Sequence, residues 1–469
     1  MSAFEHFIHF YNNNIAPPIL LALLIPVGIL FTVLLKFIQF RKFGTAIAIV
    51  SGRYTQDSHP GDISHFQALS AALSATVGIG NIAGVATAIA WGGPGAAFWI
   101  WITGFLGMAI KYAECTLAVA YRETDTEGYV AGGPMFYIEK GLSKKLGPIA
   151  RVLAVIFAAG TVVCAFGTGN MPQSNSMAQA LYGAYGIPTW ASGTVIAAFV
   201  FLVIVGGIRR IGQVASKLVP LMALLYITGG LLVLLVNAHK VGPAFAVIVT
   251  QAFTSEAALK GGVISVIIWG IKRGLYSNEA GQGSAPIVHA AAKTPFPVRE
   301  GLVSMLEPFI DTVLICTLTA LVIVVGGLYV PDASGTKPLF DGAVLTTRSF
   351  ETGLAPVGLS FLGQHIVTIS TVLFALSTAI SWSYYGDRAV LYLTRSPRVV
   401  FVYRNLFSIG VFIGAIQSMS LVWGFADMAI TFMALPNLLA LCMLAPRVLE
   451  LTRMYFSDRN ANPTTKLKA

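Results

Sequence analysis

Ile267-Ile-Trp-Gly-Ile-Lys-Arg-Gly-Leu-Tyr-Ser-Asn-Glu-Ala-Gly-Gln-Gly-Ser-Ala-Pro286 is the stretch on which the fold turns. It continues an apolar run that enters from Gly262, then loads itself with Lys272, Arg273, Ser277, Asn278, Glu279 and Gln282. Gly270, Gly274, Gly281 and Gly283 punctuate it. No lipid-facing helix carries that set, because charged and unpaired polar groups are costly at membrane depth. Glycine also weakens a helix interior by ~1 kcal/mol relative to alanine. The alternative, a loop after a short apolar run, reverses the orientation of everything downstream. A second stretch of the same kind stands earlier, Ser74-Ala-Thr-Val-Gly-Ile-Gly-Asn-Ile-Ala-Gly84. The Gly80/Gly84 spacing suits close helix packing. Asn81, a polar side chain between glycines near mid-depth, points instead to a broken helix.

Composition sets the medium. The chain has 469 residues, 56% hydrophobic and 11% charged, with a mean hydropathy of +0.75. A soluble domain carries roughly 25% charged residues. These figures exclude a soluble globular enzyme, a disordered chain and a nucleic-acid-binding domain. A membrane helix needs ~20 mostly apolar residues. Eleven segments qualify: 15–37, 66–90, 96–121, 149–169, 188–207, 214–236, 262–285, 301–328, 359–386, 399–416 and 421–444. Pro436 lies inside the last, which reads as one kinked helix. The first 14 residues carry no Lys or Arg and no small-residue cleavage site follows, so the first span is expected to be retained.

The charges test this count. With the N-terminus outside, 22 of the 30 Lys and Arg fall on the inner side. The outer side holds Lys240, Lys260, Lys337 and Arg348, while Lys111, Lys272, Arg273 and Arg404 lie in or near spans. Cytoplasmic loops collect Lys and Arg, so the split predicts an outside N-terminus and a cytoplasmic C-terminus. The net charge of +10 records orientation and implies no acidic partner. Cys115, Cys164, Cys316 and Cys442 sit in apolar runs without CxxC spacing and read as buried small hydrophobes.

Setting aside residues 1–65, an extra N-terminal helix with its loop, the remaining spans form two sets of five. Residues 66–236 hold the first and 237–447 the second, followed by a tail at 448–469. Each set begins with a glycine-broken helix, and an odd number of spans inserts the two sets with opposite topology. This is the inverted-repeat plan of secondary transporters. At such a break, half-helix N–H groups receive an anion and freed carbonyls coordinate a cation. The two breaks together predict a mid-membrane site for a small zwitterion and an alkali cation.

Trp91-Gly-Gly-Pro-Gly-Ala-Ala-Phe-Trp-Ile-Trp-Ile-Thr-Gly-Phe-Leu-Gly107, followed by Met108-Ala-Ile-Lys-Tyr-Ala-Glu114, resembles the signature of the alanine/glycine:cation symporter family. Ala131-Gly-Gly-Pro-Met-Phe-Tyr137 and Arg273-Gly-Leu-Tyr-Ser-Asn-Glu-Ala-Gly-Gln-Gly-Ser-Ala-Pro286 are further family-like stretches. Ile100 stands where the family usually has Met, and Tyr276 where it often has Phe. The resemblance implies an all-α polytopic protein of eleven transmembrane helices: a leucine-transporter-type 5+5 core plus one N-terminal helix. It implies sodium-coupled uptake of alanine, glycine or similar small neutral amino acids by alternating access, in a bacterial cytoplasmic membrane, with no cofactor beyond the coupling ion. Val77-Gly-Ile-Gly-Asn81 also resembles the unwound first core helix of the neurotransmitter:sodium symporters.

Roles carried over from these families give specific expectations. The N–H groups of Ile79 and Gly80, beside Gly78, are expected to meet the substrate carboxylate. Thr76 and Asn81 match positions that bind a substrate-linked sodium. Ser74 and Val77 match carbonyl donors to a second sodium, completed by the hydroxyls of Ser377 and Thr378. Gln173 is expected to hydrogen-bond substrate, the backbone at Tyr276, Ser277 and Asn278 to receive its amino group, and Trp382 to limit side-chain size. Lys111 and Glu114, three apart on one helical face, read as a structural ion pair. Glu279, Glu307, Asp311 and Asp427 keep proton coupling as an alternative, beside a larger substrate such as glutamine, and no His is expected near mid-depth. An enzyme is not expected: no HExxH, GxSxG or His/Asp pair at helical spacing lies inside the spans. A channel would need a continuous polar pore, whereas the polar load is concentrated at two breaks.

Overall fold

The computed structural model describes residues 10, 11, 14–54, 58–124, 129–254, 262–332, 335, 337–417 and 419–458. Lys260, Arg459, Lys466 and Lys468 lie outside the described residues, as does the side chain of Asp427. The helices that matter here are α1 (Ala16–Leu34), α2 (His65–Thr76), α3 (Val85–Gly92), α4 (Ala96–Ala120), α5 (Pro134–Leu146), α6 (Pro148–Gly167), α7 (Met171–Tyr185), α8 (Thr189–Ile204) and α9 (Gly207–Val236). They continue with α10 (Ala238–Gln251), α11 (Gly262–Asn278), α12 (Ala285–His289), α13 (Pro297–Ser304), α14 (Thr317–Gly326), α15 (Gly342–Leu354), α16 (Ser360–Thr394), α17 (Pro397–Ile416) and α18 (Met419–Ser457).

Each of the eleven expected segments coincides with a helix or a broken helix. Seven stretches are long and apolar enough to cross a bilayer by themselves, and the bent pair α2–α3 makes an eighth. The remaining three coincide with α1, α8 and α11, which are short or carry the polar load described above. Helix α18 runs unbroken through Pro436 and Pro446. Cys442 is exposed on that helix, contrary to the expectation for all four cysteines, because its face looks outward from the bundle.

Local chemistry explains the breaks. Ser64 starts α2 with a capping box: its Oγ accepts the Gln67 N–H at 3.2 Å, and Gln67 Oε1 accepts the Ser64 N–H at 3.0 Å. The helix ends at Val77, whose ψ of 87° leaves the helical region. It resumes as a π-turn over Gly80–Gly84 and bends by 50°. The second break follows Asn278. Glu279 adopts a left-handed φ of 53°, and Gly281 and Gly283 both sit at φ 82°, where only glycine is unstrained. Helix α9 packs on α2 of its own half and on α16 of the other, and α11 packs across the halves on α3 and α4. The loop expected between residues 329 and 358 instead contains α15, which lies over the π-turn, with Thr346 Oγ1 donating to Ile82 O at 2.8 Å.

Candidate functional site

The two breaks meet. A methyl group built on Gly80 would lie 3.3 Å from Tyr276 Cδ1 and 3.5 Å from Ser277 Cα. Asn81 fastens the junction. Its Oδ1 accepts the Gly78 N–H at 2.9 Å, which holds the first break open. Its Nδ2 donates to Ser277 Oγ at 3.1 Å and to Asp311 Oδ1 at 2.6 Å.

Asp311 is the centre of this arrangement, and the sequence expectations did not place it in the site. It lies on a second π-helical segment, Phe309–Cys316, which contacts the first π-turn. Its Oδ2 accepts Ser277 Oγ and Thr312 Oγ1, each at 2.7 Å. One buried carboxylate therefore ties both broken helices to a third element. Bonds to a charged group contribute ~1.5–3 kcal/mol each. The available signal was an acidic residue in an apolar run, which at membrane depth is functional by default. Nothing in its spacing told which break it would face.

Beside Gly78 the chain assembles a different chemistry. A methyl group there would stand 2.7 Å from Thr378 Oγ1 and 3.6 Å from Gln173 Oε1. Gln173 is buried, and its Nε2 donates to Thr168 O at 3.1 Å while Oε1 has no hydrogen-bond partner. The Ile79 N–H makes no backbone hydrogen bond among the described residues. A free donor and a free acceptor thus flank the same glycine. One turn back, Ser74 and Ser377 interlock: Ser74 Oγ donates to Ser377 O at 2.7 Å, and Ser377 Oγ reaches Ser74 O at 3.2 Å and Phe374 O at 2.8 Å. Thr378 Oγ1 bonds Phe374 O at 2.9 Å. The groups at this seam are hydroxyl and carbonyl oxygens, the donor type that suits a hard cation.

Other expected residues stand elsewhere. Thr76 Oγ1 bonds its own helix at Ala72 O, 3.3 Å away. Asn278 caps its own helix end, with Oδ1 accepting the Ala280 N–H at 3.0 Å, and faces Gly107 of α4. Trp382 donates its Nε1 to Glu279 Oε1 at 3.0 Å, so it props the second break. Its ring lies so close to Gly169 that an added methyl group would come within 2.2 Å of it. The expected Lys111–Glu114 pair does not form. Lys111 Nζ bonds Glu307 Oε1 at 2.9 Å, and Glu114 Oε1 instead accepts Asn437 Nδ2 at 2.5 Å. Interhelical partners win because α13 and the turn after it pack directly on α4. Two histidines to which the sequence reading gave no role, His65 and His289, are buried beside Glu300.

Comparison with known proteins bears on the same features. The family model described as the sodium:alanine symporter family matches residues 1–469. The sodium/alanine symporter AgcS of Methanococcus maripaludis is 44% identical over 452 residues, covering 96% of this chain and 97% of that protein. The probable sodium/glutamine symporter GlnT of Bacillus subtilis is 34% identical over 459 residues, covering 97% and 92%. Among solved structures, MhsT in complex with L-phenylalanine superposes with a TM-score of 0.57 at 14% identity, covering 82% of this chain and 90% of that one. That likeness identifies the fold as the leucine-transporter type.

Proposed function

The chain belongs to the sodium:alanine symporter family, and from that premise we propose how its own residues divide the work of a secondary active transporter. It takes up alanine, glycine or a similarly small neutral amino acid together with sodium, across a bacterial cytoplasmic membrane. Its N-terminus lies outside and its C-terminus in the cytoplasm, and residues 66–236 and 237–447 act as the two inverted repeats. The carrying observation is the pairing at Gly78. An unpaired Ile79 N–H and an unpaired Gln173 Oε1 stand on either side of a position where no side chain fits.

In this reading the substrate carboxylate meets the N–H groups at Ile79 and Gly80. Gln173 Oε1 accepts from the ammonium group, together with backbone carbonyls near Tyr276 and Ser277. Asn81 and Asp311 position both breaks without touching the substrate. Sodium sits at the seam of α2 and α16, with oxygen from Ser74, Val77, Ser377 and Thr378. Occupying this seam stiffens the contact between a core helix and α16, which completes the substrate site. Rocking of the core then exposes both ligands to the cytoplasm. The membrane potential contributes ~2.3 kcal/mol per charge per 100 mV.

Uptake of labelled alanine into proteoliposomes tests this reading. Accumulation is expected with an inward sodium gradient and a negative interior, and not with potassium alone. Uptake that ignores sodium, or that follows an acid-outside gradient without it, would overturn the ion assignment. Competition by glycine but not by glutamine is expected from the small volume at Gly78 and Gly80.

A further inference from the structure

His65 opens the first broken helix, and His289 ends the second. Both reach one carboxylate. His289 Nδ1 lies 2.6 Å from Glu300 Oε1, and His65 Nδ1 contacts Glu300 Oε2. On its other edge, His289 Nε2 stands 3.8 Å from Glu307 Oε2, and Glu307 in turn holds Lys111. All five side chains are at most 1% exposed. The backbone around them is tied at the same end. Asp62 N–H donates to Ala291 O at 2.8 Å, and Lys293 N–H to Ile63 O at 2.7 Å. Arg122 spreads over the carbonyls of Pro60, Ala290, Ala292 and Thr294 at 2.6–2.9 Å.

Proton placement follows from the donors and acceptors. Glu300, as a carboxylate, accepts from both imidazoles, so each histidine has a proton on Nδ1. A neutral ring of that kind keeps a lone pair on Nε2. On His65 this atom faces no hydrogen-bond partner, which a neutral ring tolerates. His289 Nε2 makes no hydrogen bond either, but it stands 3.8 Å from the Glu307 carboxylate, which a lone pair would oppose and a second proton would face favourably. With His289 as the imidazolium, Glu300 and Glu307 are balanced by Lys111 and one His⁺ inside the cluster. A neutral His289 leaves one of these two buried carboxylates without a cation in direct contact, with Arg122 the next positive charge towards Glu300.

We propose that the carrier binds one proton at His289 as a ligand of its own, and that this proton latches the cytoplasmic ends of the two broken helices shut. The proposal rests on the orientation and alternating-access reading given above. When those ends part, His289 leaves Glu300 and Glu307, is hydrated, and titrates near its ordinary value of about 6.5. The closed state then holds a proton that the open state releases at neutral pH. By linkage, the open-to-closed ratio rises about tenfold per pH unit above that value and is flat below it. The proton enters and leaves on the cytoplasmic side, so it regulates opening and is not carried across.

Glu300 and Glu307 face His289; His65 of α2 and Arg122 share Glu300, and Lys111, Glu114 and Cys115 of α4 surround Glu307. Tyr385 of α16 stands near Glu307, and His59 and Arg299 lie behind His65. His65 shares Glu300 with His289 from the opposite broken helix, so it is the control.

Double electron–electron resonance between spin labels at Ser58 and Lys144, in a Cys442→Ser background in nanodiscs, reads the opening directly. Without sodium or alanine, the wild-type open-to-closed ratio is expected to rise about tenfold per unit from pH 7 to 8.5. His289→Gln removes this slope and favours the open state at every pH, whereas His65→Gln keeps the slope. A flat wild-type profile, or a slope lost with His65→Gln and kept with His289→Gln, overturns the proposal. If His289→Gln does not fold, the wild-type profile and His65→Gln still decide. Sodium-driven alanine uptake by the same preparation reports the transport reading separately, so intact uptake with a flat profile refutes the latch alone.

Discussion

Asp311 gives the sharpest test of how the two breaks communicate. Its carboxylate receives Asn81 at 2.6 Å, and Ser277 and Thr312 at 2.7 Å each. Asp311→Asn keeps the shape and one acceptor oxygen but removes the charge. A bond to a charged group contributes ~1.5–3 kcal/mol, and a neutral one ~0.5–1.5 kcal/mol. The loss is therefore about 1 kcal/mol per bond, or about 3 kcal/mol for the three. Every 1.4 kcal/mol is tenfold in affinity, so alanine binding at saturating sodium is expected to weaken by roughly 100-fold when the whole loss falls on the bound state. Asp311→Ala leaves Asn81 and Ser277 as poorly paired donors and should cost more. Thr312→Ala removes a donor that touches neither break and should cost least. The assay is equilibrium binding of labelled alanine to detergent-purified protein, with melting temperature as the check on folding. Affinity within twofold of wild type in Asp311→Ala, at an unchanged sodium requirement, would refute the idea that this carboxylate holds the breaks in register.

Three further outcomes are expected. Ser377→Ala removes a hydroxyl at the α2–α16 seam and should raise the sodium concentration for half-maximal alanine binding severalfold, while binding at saturating sodium survives; an unchanged sodium curve would place the ion elsewhere. Lys111→Met breaks a fully buried pair and should destabilise by ~3–5 kcal/mol, whereas pairing it with Glu307→Leu should recover much of this; equal melting temperatures for single and double variants would contradict the pairing. Gly169→Ala drives a methyl group into Trp382 and should cost ~1–3 kcal/mol, with Trp382→Ala in the same protein restoring part of the melting temperature.

The breaks were legible because their cause is local. Glycines and polar side chains inside an apolar run weaken one helix wherever it packs, so Val77–Gly80 and Glu279–Gly283 could be read from neighbours in sequence. The Ser74–Ser377 seam was reachable through family likeness, since 303 residues separate its members. Lys111 shows where such reading stops. Spacing offers Glu114 at the next turn, yet the bundle places Glu307 closer, and no local pattern encodes that choice. Asp311, named only as a proton-coupling alternative, was not placed at the breaks, and His289 was missed, for a related reason. A π-helical segment shifts the facing of Asp311, and His289 ends a helix of five residues that carries too little periodicity to define a face. Helix α15 escaped because a re-entering surface helix is too short and too polar to stand out from a loop.

The Lys111–Glu307 bond also sets a problem of timing during synthesis. Its members are 196 residues apart, and chains grow at roughly 5–20 residues per second, so the lysine enters the bilayer about 10–40 s before its carboxylate exists. An unpaired lysine at the centre of an inserting helix costs roughly 2.5–3.5 kcal/mol. During that interval the carboxylate within reach is Glu114, three residues along the same helix. A pair between these neighbours, absent from the finished protein, would lower that cost until Glu307 arrives with the second half of the chain.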